Sequence, residues 1–216
     1  SMIMAGDSLI HSAVYADAYN GTTYDFKKML KSIKPIVEKY DLAFINQETI
    51  IGGKNLGYSS YPRFNSPEQI GDDLIATGFD IFNLANTHTL DMGEAGMLNS
   101  LSYWRTKNVI TIGMNSSFQE RDTIKTYEKN GITYAILSYT TVTNGLRVPT
   151  GKEYYLNTYD SERVANDIAK VRDKVDIVMV SMHYGTEYTH TPTLEQTEIA
   201  NYLASLDVDI VIGHHP

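Results

Sequence analysis

Short apolar runs alternate with amphipathic stretches along the whole chain. The apolar runs predict buried strands at residues 3–5, 42–45, 80–85, 109–112, 177–182 and 208–212. Helical spacing of apolar residues predicts helices over residues 24–40, 67–77, 94–107, 161–171 and 191–205. Because strands alternate with helices, the pattern indicates an α/β domain with a largely parallel sheet.

Two local signals modify this picture. Pro35 interrupts the helical stripe over 24–40, so it either kinks that helix or marks the start of a second one. Asn130-Gly131 separates two strand-like runs at 123–128 and 132–139, which predicts a tight hairpin. Since a hairpin adds an antiparallel element, a mixed or double sheet is favoured over a simple doubly wound one.

Composition excludes several classes of function. The 216 residues contain no Cys, which excludes disulfides, thiolate metal sites and a Cys nucleophile. Eighteen Lys and Arg against 26 Asp and Glu leave a net charge of −8. A nucleic-acid or anionic-membrane binder would need a basic face, so we expect no nucleic-acid partner.

Polar residues of ligand type follow five of the predicted strands. These segments are Gly6-Asp7, Asn46-Gln47-Glu48, 86–91, 183–188 and 213–216. Parallel strands place their carboxyl ends at one edge of a sheet, where α/β proteins bind ligands. Four of the six His lie just beyond strands, whereas we expect His190 to be an exposed loop residue. We place Tyr184 and Tyr188 near the same edge.

The residue types suit a metal site. Imidazole together with carboxylate favours Zn, Mn, Fe or Ni, whereas Mg and Ca prefer oxygen alone. Each residue also has an ordinary structural explanation, such as a turn for Asp7 or a core histidine for His183. Their joint occurrence after several strands favours one or two divalent ions.

Several motifs in this order resemble one protein family. They are Gly6-Asp7, Asn46-x-Glu48, Pro62 to Pro67, Asn83 to Asp91, His183 to Tyr188 and Gly213-His-His-Pro216. The chain resembles the CapA-type capsule synthesis proteins, linked to poly-γ-glutamate in bacteria, of the calcineurin-like metallophosphoesterase superfamily. The resemblance covers essentially the whole chain. It implies a four-layer α/β/β/α sandwich, with 1–216 as a single domain that is truncated at its C-terminus before the final strands.

The resemblance also implies metal ligands. Asp7 and Glu48 are expected to be carboxylate ligands, with Glu48 as a bridge between ions. His183 and one of His214 and His215 are expected to be imidazole ligands, and both of the latter remain candidates.

The same resemblance also implies catalytic and substrate-binding roles. His88 matches the histidine that assists the leaving group, and Asp91 is expected to orient it. Glu187 is expected to line the pocket or to support His183. The candidate substrate-binding residues are Asn46, Asn86, Glu187 and Tyr188.

Two positions depart from the family pattern. Thr87 stands where the family has an Asn that the superfamily uses as a metal ligand, and a hydroxyl is the poorer ligand. Leu9 stands where the superfamily has a His, for which His11 is a loose substitute. We therefore expect one metal site to be weakened or single.

These features favour a metal-dependent, phosphoesterase-like hydrolase or transferase in capsule or poly-γ-glutamate biosynthesis. The alternative is a non-catalytic subunit of a surface or membrane complex that binds polymer or partner proteins. A simple sugar-binding protein is less favoured, because it leaves the His positions unexplained. The resemblance implies a cell-surface polymer or its precursor as partner, together with membrane capsule-synthesis proteins. It also implies an extracytoplasmic, membrane-anchored protein whose anchor lies outside this chain.

Overall fold

A computed structural model describes residues 1–216 and contains two four-stranded sheets. The strands are β1 (Met2–Asp7), β2 (Leu42–Asn46), β3 (Ile81–Asn83), β4 (Ile110–Ile112), β5 (Thr126–Lys129), β6 (Ile132–Thr140), β7 (Ile177–His183) and β8 (Ile210–His214). The first sheet has the order β1-β2-β3-β4 and the second β5-β6-β7-β8. All neighbouring strands are parallel except β5 and β6.

Helices cover the outer face of each sheet. They are α1 (Ser12–Ala18), α2 (Lys27–Leu30), α3 (Lys34–Val37), α4 (Gln69–Thr77), α5 (Gly93–Arg105), α6 (Phe118–Asp122), α7 (Ser161–Ala169) and α8 (Leu194–Ser205). The first sheet shares one apolar core with α4 and α5, and the second shares another with α7 and α8. This arrangement confirms the predicted four-layer α/β/β/α sandwich. None of the helices combines the length and the apolar character needed to cross a bilayer.

A third apolar core lies between the two sheets. Phe44 and Ile81 of the first sheet pack with Ile136 and Met179 of the second. Side chains alternate between the two faces of a strand, so the intervening residues, such as Val180, face the helices instead. Each fully buried side chain of this size stabilises the fold by roughly 1.5–3 kcal/mol. The inter-sheet core therefore fixes how the two sheets stack.

The single helix predicted over 24–40 is wrong. The segment forms two short helices, and Pro35 lies in the first turn of the second, α3. Proline lacks the N–H that an uninterrupted helix would need there, but its missing donor is harmless in a first turn. The interpretation of Pro35 as a second helix start is confirmed. The sequence did not predict α1 and α6. These helices have only 7 and 5 residues, which is too short to show a helical spacing of apolar residues.

The predicted hairpin is confirmed. Asn130 and Gly131 have φ angles of 55° and 78°, the left-handed values that a two-residue turn of this kind requires. Lys129 pairs with Ile132 across the turn. The hairpin makes β5 an antiparallel strand at the edge of the second sheet, which is therefore mixed. The presence of two separate sheets confirms the double-sheet prediction.

Candidate metal centre

The layer between the sheets changes from apolar to polar at the carboxyl ends of the strands. Inward-facing positions pass from apolar to polar within four strands: Phe44 to Asn46, Ile81 to Asn83, Met179 to His183 and Ile212 to His214. Strand register then aligns the polar ends, because Asn46 pairs with Asp7 and Asn83, and His183 pairs with His214. The two sheets thus present facing rows of polar side chains at one end of the sandwich.

All five predicted metal ligands come together around His183. The imidazole of His183 has no solvent exposure. Ligand atoms of Asp7, His183 and His214 lie within 4.8 Å of one another, and those of Glu48, His183 and His215 form a second such group. The sequence left open which of His214 and His215 belongs to the site, whereas the structure puts one of them in each group.

The electrostatics of this cluster suit a cation. Burial, and then the charge of Asp7, raises the pKa of Glu48 to about 9. Burial and the neighbouring imidazoles hold the pKa of His183 far below its usual range. Burial also lowers the pKa of His214 to about 4 although Asp7 opposes this shift.

This donor set fits one or two divalent ions. Neutral imidazole is the form that ligates metals, and the lowered pKa values of His183 and His214 favour it. The Nδ1 atoms of these two rings are 2.7 Å apart. Two adjacent carboxylates in such a sheltered cluster are costly without a compensating positive charge. A divalent cation supplies that charge.

Amide side chains hold the carboxylate side of the cluster in place. Asn46 donates through Nδ2 to Asp7 Oδ1 at 2.8 Å, and its own Oδ1 accepts from Asn83 at 2.7 Å and Asn86 at 3.1 Å. Both predicted substrate contacts here, Asn46 and Asn86, are buried. The geometry favours an orienting role for them, and their contact with substrate stays a prediction.

Sequence reasoning missed two members of this network as site residues. Asn83 donates to Asn46, and Ser181 Oγ lies 2.7 Å from His214 Nε2. Ser181 lies two residues before His183 on the inward-facing side of β7, and Asn83 lies two residues after the inward-facing Ile81 of β3. The two-residue period of the strands was the signal that could have identified them.

His88 and Asp91 form a dyad beside the metal ligands. Asp91 Oδ2 lies 2.7 Å from His88 Nδ1 and also accepts the backbone N–H of Phe64 at 2.7 Å. Asn144 donates to the other oxygen, Asp91 Oδ1, at 2.8 Å. With three donors the buried carboxylate is fixed, and Nε2 of His88 is the ring nitrogen left to exchange a proton. Asn144, 53 residues from Asp91, gave no sequence signal.

Thr87 lies inside the ligand cluster. Its Oγ1 is 2.7 Å from His183 Nε2 and 3.5 Å from His215 Nδ1. The hydroxyl therefore stands next to the nitrogen atoms that would bind the second ion. The expectation that one metal site is weakened stays a prediction.

The loop after β7 brings further side chains to the rim. Glu187 Oε1 lies 3.7 Å from His215 Nδ1. Tyr188 is 96% exposed with a φ of 60°, so its ring is free to contact a ligand. Its role and that of Glu187 stay predictions. His190 is exposed, as expected.

His11 belongs to neither ligand group. It packs edge-on against the Phe64 ring at 5.0 Å, and Phe64 in turn packs against His88 at 4.6 Å. The ring of Phe64 therefore lies between His11, the loose substitute for the missing superfamily histidine, and His88 of the dyad.

Comparison with known proteins identifies the family of this chain. The family model described as bacterial capsule synthesis protein PGA_cap matches residues 1–216. The chain belongs to this family. The PGA biosynthesis protein CapA of Bacillus subtilis (strain 168) is 31% identical over 140 residues, 64% of this chain and 37% of that protein. The capsule biosynthesis protein CapA of Bacillus anthracis is 24% identical over 226 residues, covering 100% of this chain and 54% of that protein. The chain thus spans between 37% and 54% of the length of these curated relatives.

Solved structures show the same fold. A protein from Staphylococcus aureus described as a 5′-nucleotidase matches with a TM-score of 0.62 and 16% identity, over 99% of this chain and 45% of that one. A hypothetical protein from Thermus thermophilus matches with a TM-score of 0.56 and 17% identity, over 99% and 67%. At these identities the likeness shows a metallophosphoesterase-like fold and nothing about substrate.

Proposed function

We propose that this chain is a metal-dependent, phosphoesterase-like hydrolase or transferase that acts in the assembly of a capsule polymer such as poly-γ-glutamate. One observation carries the proposal: two carboxylate–imidazole groups share His183 and lie beside the His88–Asp91 dyad. Membership of the capsule synthesis family supports the link to polymer assembly.

In this proposal, one set of residues binds the ions and the His88–Asp91 dyad transfers a proton. The two groups around His183, one containing Asp7 and the other Glu48, would hold the ions. Such ions polarise a phosphoryl or acyl oxygen and lower the pKa of a bound water. His88 gives a proton from Nε2 to the leaving oxygen, while Asp91 keeps Nδ1 protonated and the ring oriented.

Space for a substrate adjoins the ligands. A cavity of about 700 Å³ opens beside Asp7 and His214. Its lining is rich in hydroxyl and amide groups, including Thr186, Thr197 and Asn201. These side chains suit a polar substrate such as an ester or amide of a polymer precursor.

Metal analysis and ester hydrolysis test the proposal together. The purified protein, supplied with Mn, Zn, Fe or Ni, should retain one or two ions and hydrolyse p-nitrophenyl phosphate. His88→Ala should lower the rate by about 100-fold or more, as expected for loss of a general acid, without loss of metal. Absence of both bound metal and turnover with all four metals would contradict the proposal.

A non-catalytic surface subunit is the second candidate, and Thr87 favours it. Its hydroxyl lies 2.7 Å from His183 Nε2, where the family carries an amide ligand. In cells that make the polymer, His88→Ala separates the two functions. Unchanged polymer yield would favour scaffolding, and loss of polymer with normal protein abundance would favour catalysis.

The cellular setting is part of the proposal. We infer an extracytoplasmic, membrane-associated location, with a cell-surface polymer or its precursor and membrane capsule-synthesis proteins as partners. The family resemblance supports this location. Protease added to intact cells should cleave the protein, and full protection until lysis would contradict the inference.

A further inference from the structure

A small internal cavity lies beside the segment that carries Glu48. Its volume is about 10 Å³, and every residue that lines it is buried. The lining includes Gln47 and Thr49 from the segment after β2, together with Ser100 and Trp104 from α5. The cavity therefore lies between the segment that bears a predicted metal ligand and the helix that packs against the first sheet.

Two buried polar atoms in this lining have no hydrogen-bond partner within the protein. They are Oε1 of Gln47, which is an acceptor, and Nε1 of Trp104, which is a donor. The orientation of the Gln47 amide is set by its nitrogen, because Nε2 donates to the backbone oxygen of Thr49 at 2.8 Å. A reversed amide would place two acceptors against each other. The unpartnered atom of this side chain is therefore its oxygen.

The two unpartnered atoms are complementary to one water molecule. A buried polar group without a hydrogen bond is destabilising, and native proteins contain few of them. Water accepts and donates at the same time, so one molecule can satisfy both Trp104 and Gln47. A volume of about 10 Å³ accommodates one water and no larger ligand. Cavities that stay dry are apolar, whereas the side chains of Thr49 and Ser100 add hydroxyl groups to this lining.

We propose that one internal water joins Trp104 to Gln47 and thereby positions the segment that carries Glu48. The water accepts from the indole Nε1–H and donates to Gln47 Oε1. The backbone of Gln47 is already held, since its N–H donates to Asn83 at 3.0 Å and its carbonyl accepts from Asn86 at 3.0 Å. With the water bound, all polar groups of the residue before Glu48 are fixed. Gln47 and Trp104 are thus positioning residues. This inference deepens the proposed function and rests on it for the link to metal binding.

Water contacts of the indole N–H test the water site in metal-free protein. Trp104 is the only Trp in the chain, so ¹⁵N-labelled protein gives a single indole N–H resonance. A water that stays bound for longer than the molecule takes to tumble should give NOE and ROE cross-peaks of opposite sign between this proton and the water signal. Ser100→Ala removes a nearby hydroxyl whose exchange with solvent would mimic the contact, and the cross-peaks should persist in this variant.

Replacing Gln47 tests the positioning role. Gln47→Leu removes the acceptor, so it should abolish the water cross-peaks and raise the dissociation constant for Mn or Zn about tenfold, the loss expected when a group that orients a metal ligand is removed. Gln69→Leu is the matched control, because Gln69 on α4 also has a buried Oε1 without a partner but lies outside the cavity. It should change the dissociation constant less than twofold. Benzothienylalanine at position 104 replaces the N–H of Trp104 with sulfur at nearly the same shape. It should weaken metal binding in the same direction, and it decides the question if Gln47→Leu does not fold.

The outcomes separate this inference from the proposed function. Absence of cross-peaks in the unaltered protein, or their loss in Ser100→Ala, overturns the water site. Unchanged metal affinity in Gln47→Leu, or equal weakening in Gln69→Leu, overturns the positioning role. Metal binding and ester hydrolysis without a water contact would support the proposed function and overturn this inference. A water contact in protein that binds no metal would support the water site and contradict the proposed function.

Discussion

Replacing His183 tests whether one imidazole serves both ligand groups, which for two ions at once requires an imidazolate with both ring nitrogens deprotonated. His183 belongs to both ligand groups, whereas Asp7 belongs to one and Glu48 to the other. His183→Asn should therefore abolish binding at both sites. Asp7→Asn and Glu48→Gln should each impair one site and leave the other with a carboxylate and two imidazoles.

The size of the effect follows from linkage between binding and folding. An ion present at 100 times its dissociation constant stabilises the folded state by about 2.7 kcal/mol. In a chain of 216 residues, each kcal/mol raises the midpoint of thermal unfolding by about 2–4 °C. Each bound ion should raise that midpoint by about 5–11 °C, and His183→Asn should remove the whole increase.

Metal content by mass spectrometry and thermal unfolding with and without Mn or Zn measure these differences. Circular dichroism shows whether the variants keep the fold. If His183→Asn retains the full metal content and the full thermal shift, the shared imidazole is not a ligand and the assignment of both groups is wrong. If Asp7→Asn loses as much metal as His183→Asn, the two groups are not separate sites.

Three further predictions concern the dyad, the core and pH. Asn144→Ala removes one donor from Asp91, so kcat for ester hydrolysis should fall about tenfold with KM nearly unchanged, and an unchanged kcat would contradict the positioning role. Phe44→Ala should lower the free energy of unfolding in urea by about 3–5 kcal/mol, since this ring is fully buried between the sheets, and a loss below about 1 kcal/mol would refute that packing. The Arg172 hydrogen bond lowers the pKa of Asp209, so its stabilisation is complete above the unfolded pKa and is lost as pH falls towards the folded one. Asp209→Asn should therefore cost stability at pH 7 but progressively less below about pH 4, and a constant difference across pH would refute the ion pair as its cause.

Much of the fold could be predicted because the strong signals are local. The apolar run over β7 and the Asn130-Gly131 turn each specify their structure within a few residues. Convergence of the site could also be predicted, since parallel strands end at one edge. Contacts such as that between Asn144 and Asp91 could not, because the loop that carries Asn144 has no pattern that specifies where it packs.

The assignment of His214 and His215 to different ligand groups could not be predicted from the sequence either. His214 and His215 are adjacent in the chain and differ only in which side of the strand end they face. His214 is still within β8 and faces the inter-sheet layer, whereas His215 follows the strand with a φ of 89°. That left-handed backbone turns its ring towards Glu48, which a count of residues cannot show.

The polar end of the inter-sheet layer is best explained by function. Buried amides and imidazoles add less to stability than apolar side chains of similar size, even when their hydrogen bonds are satisfied. A core built for stability alone would continue the series of Phe44 and Met179 to the ends of the strands. Instead, Asn46 and His183 occupy those positions, and hydrogen bonds connect the carboxylate of Asp7 through Asn46 to further amides. The core is therefore less stabilising at this end, where the charged groups are held together. A bound cation would offset the repulsion between them.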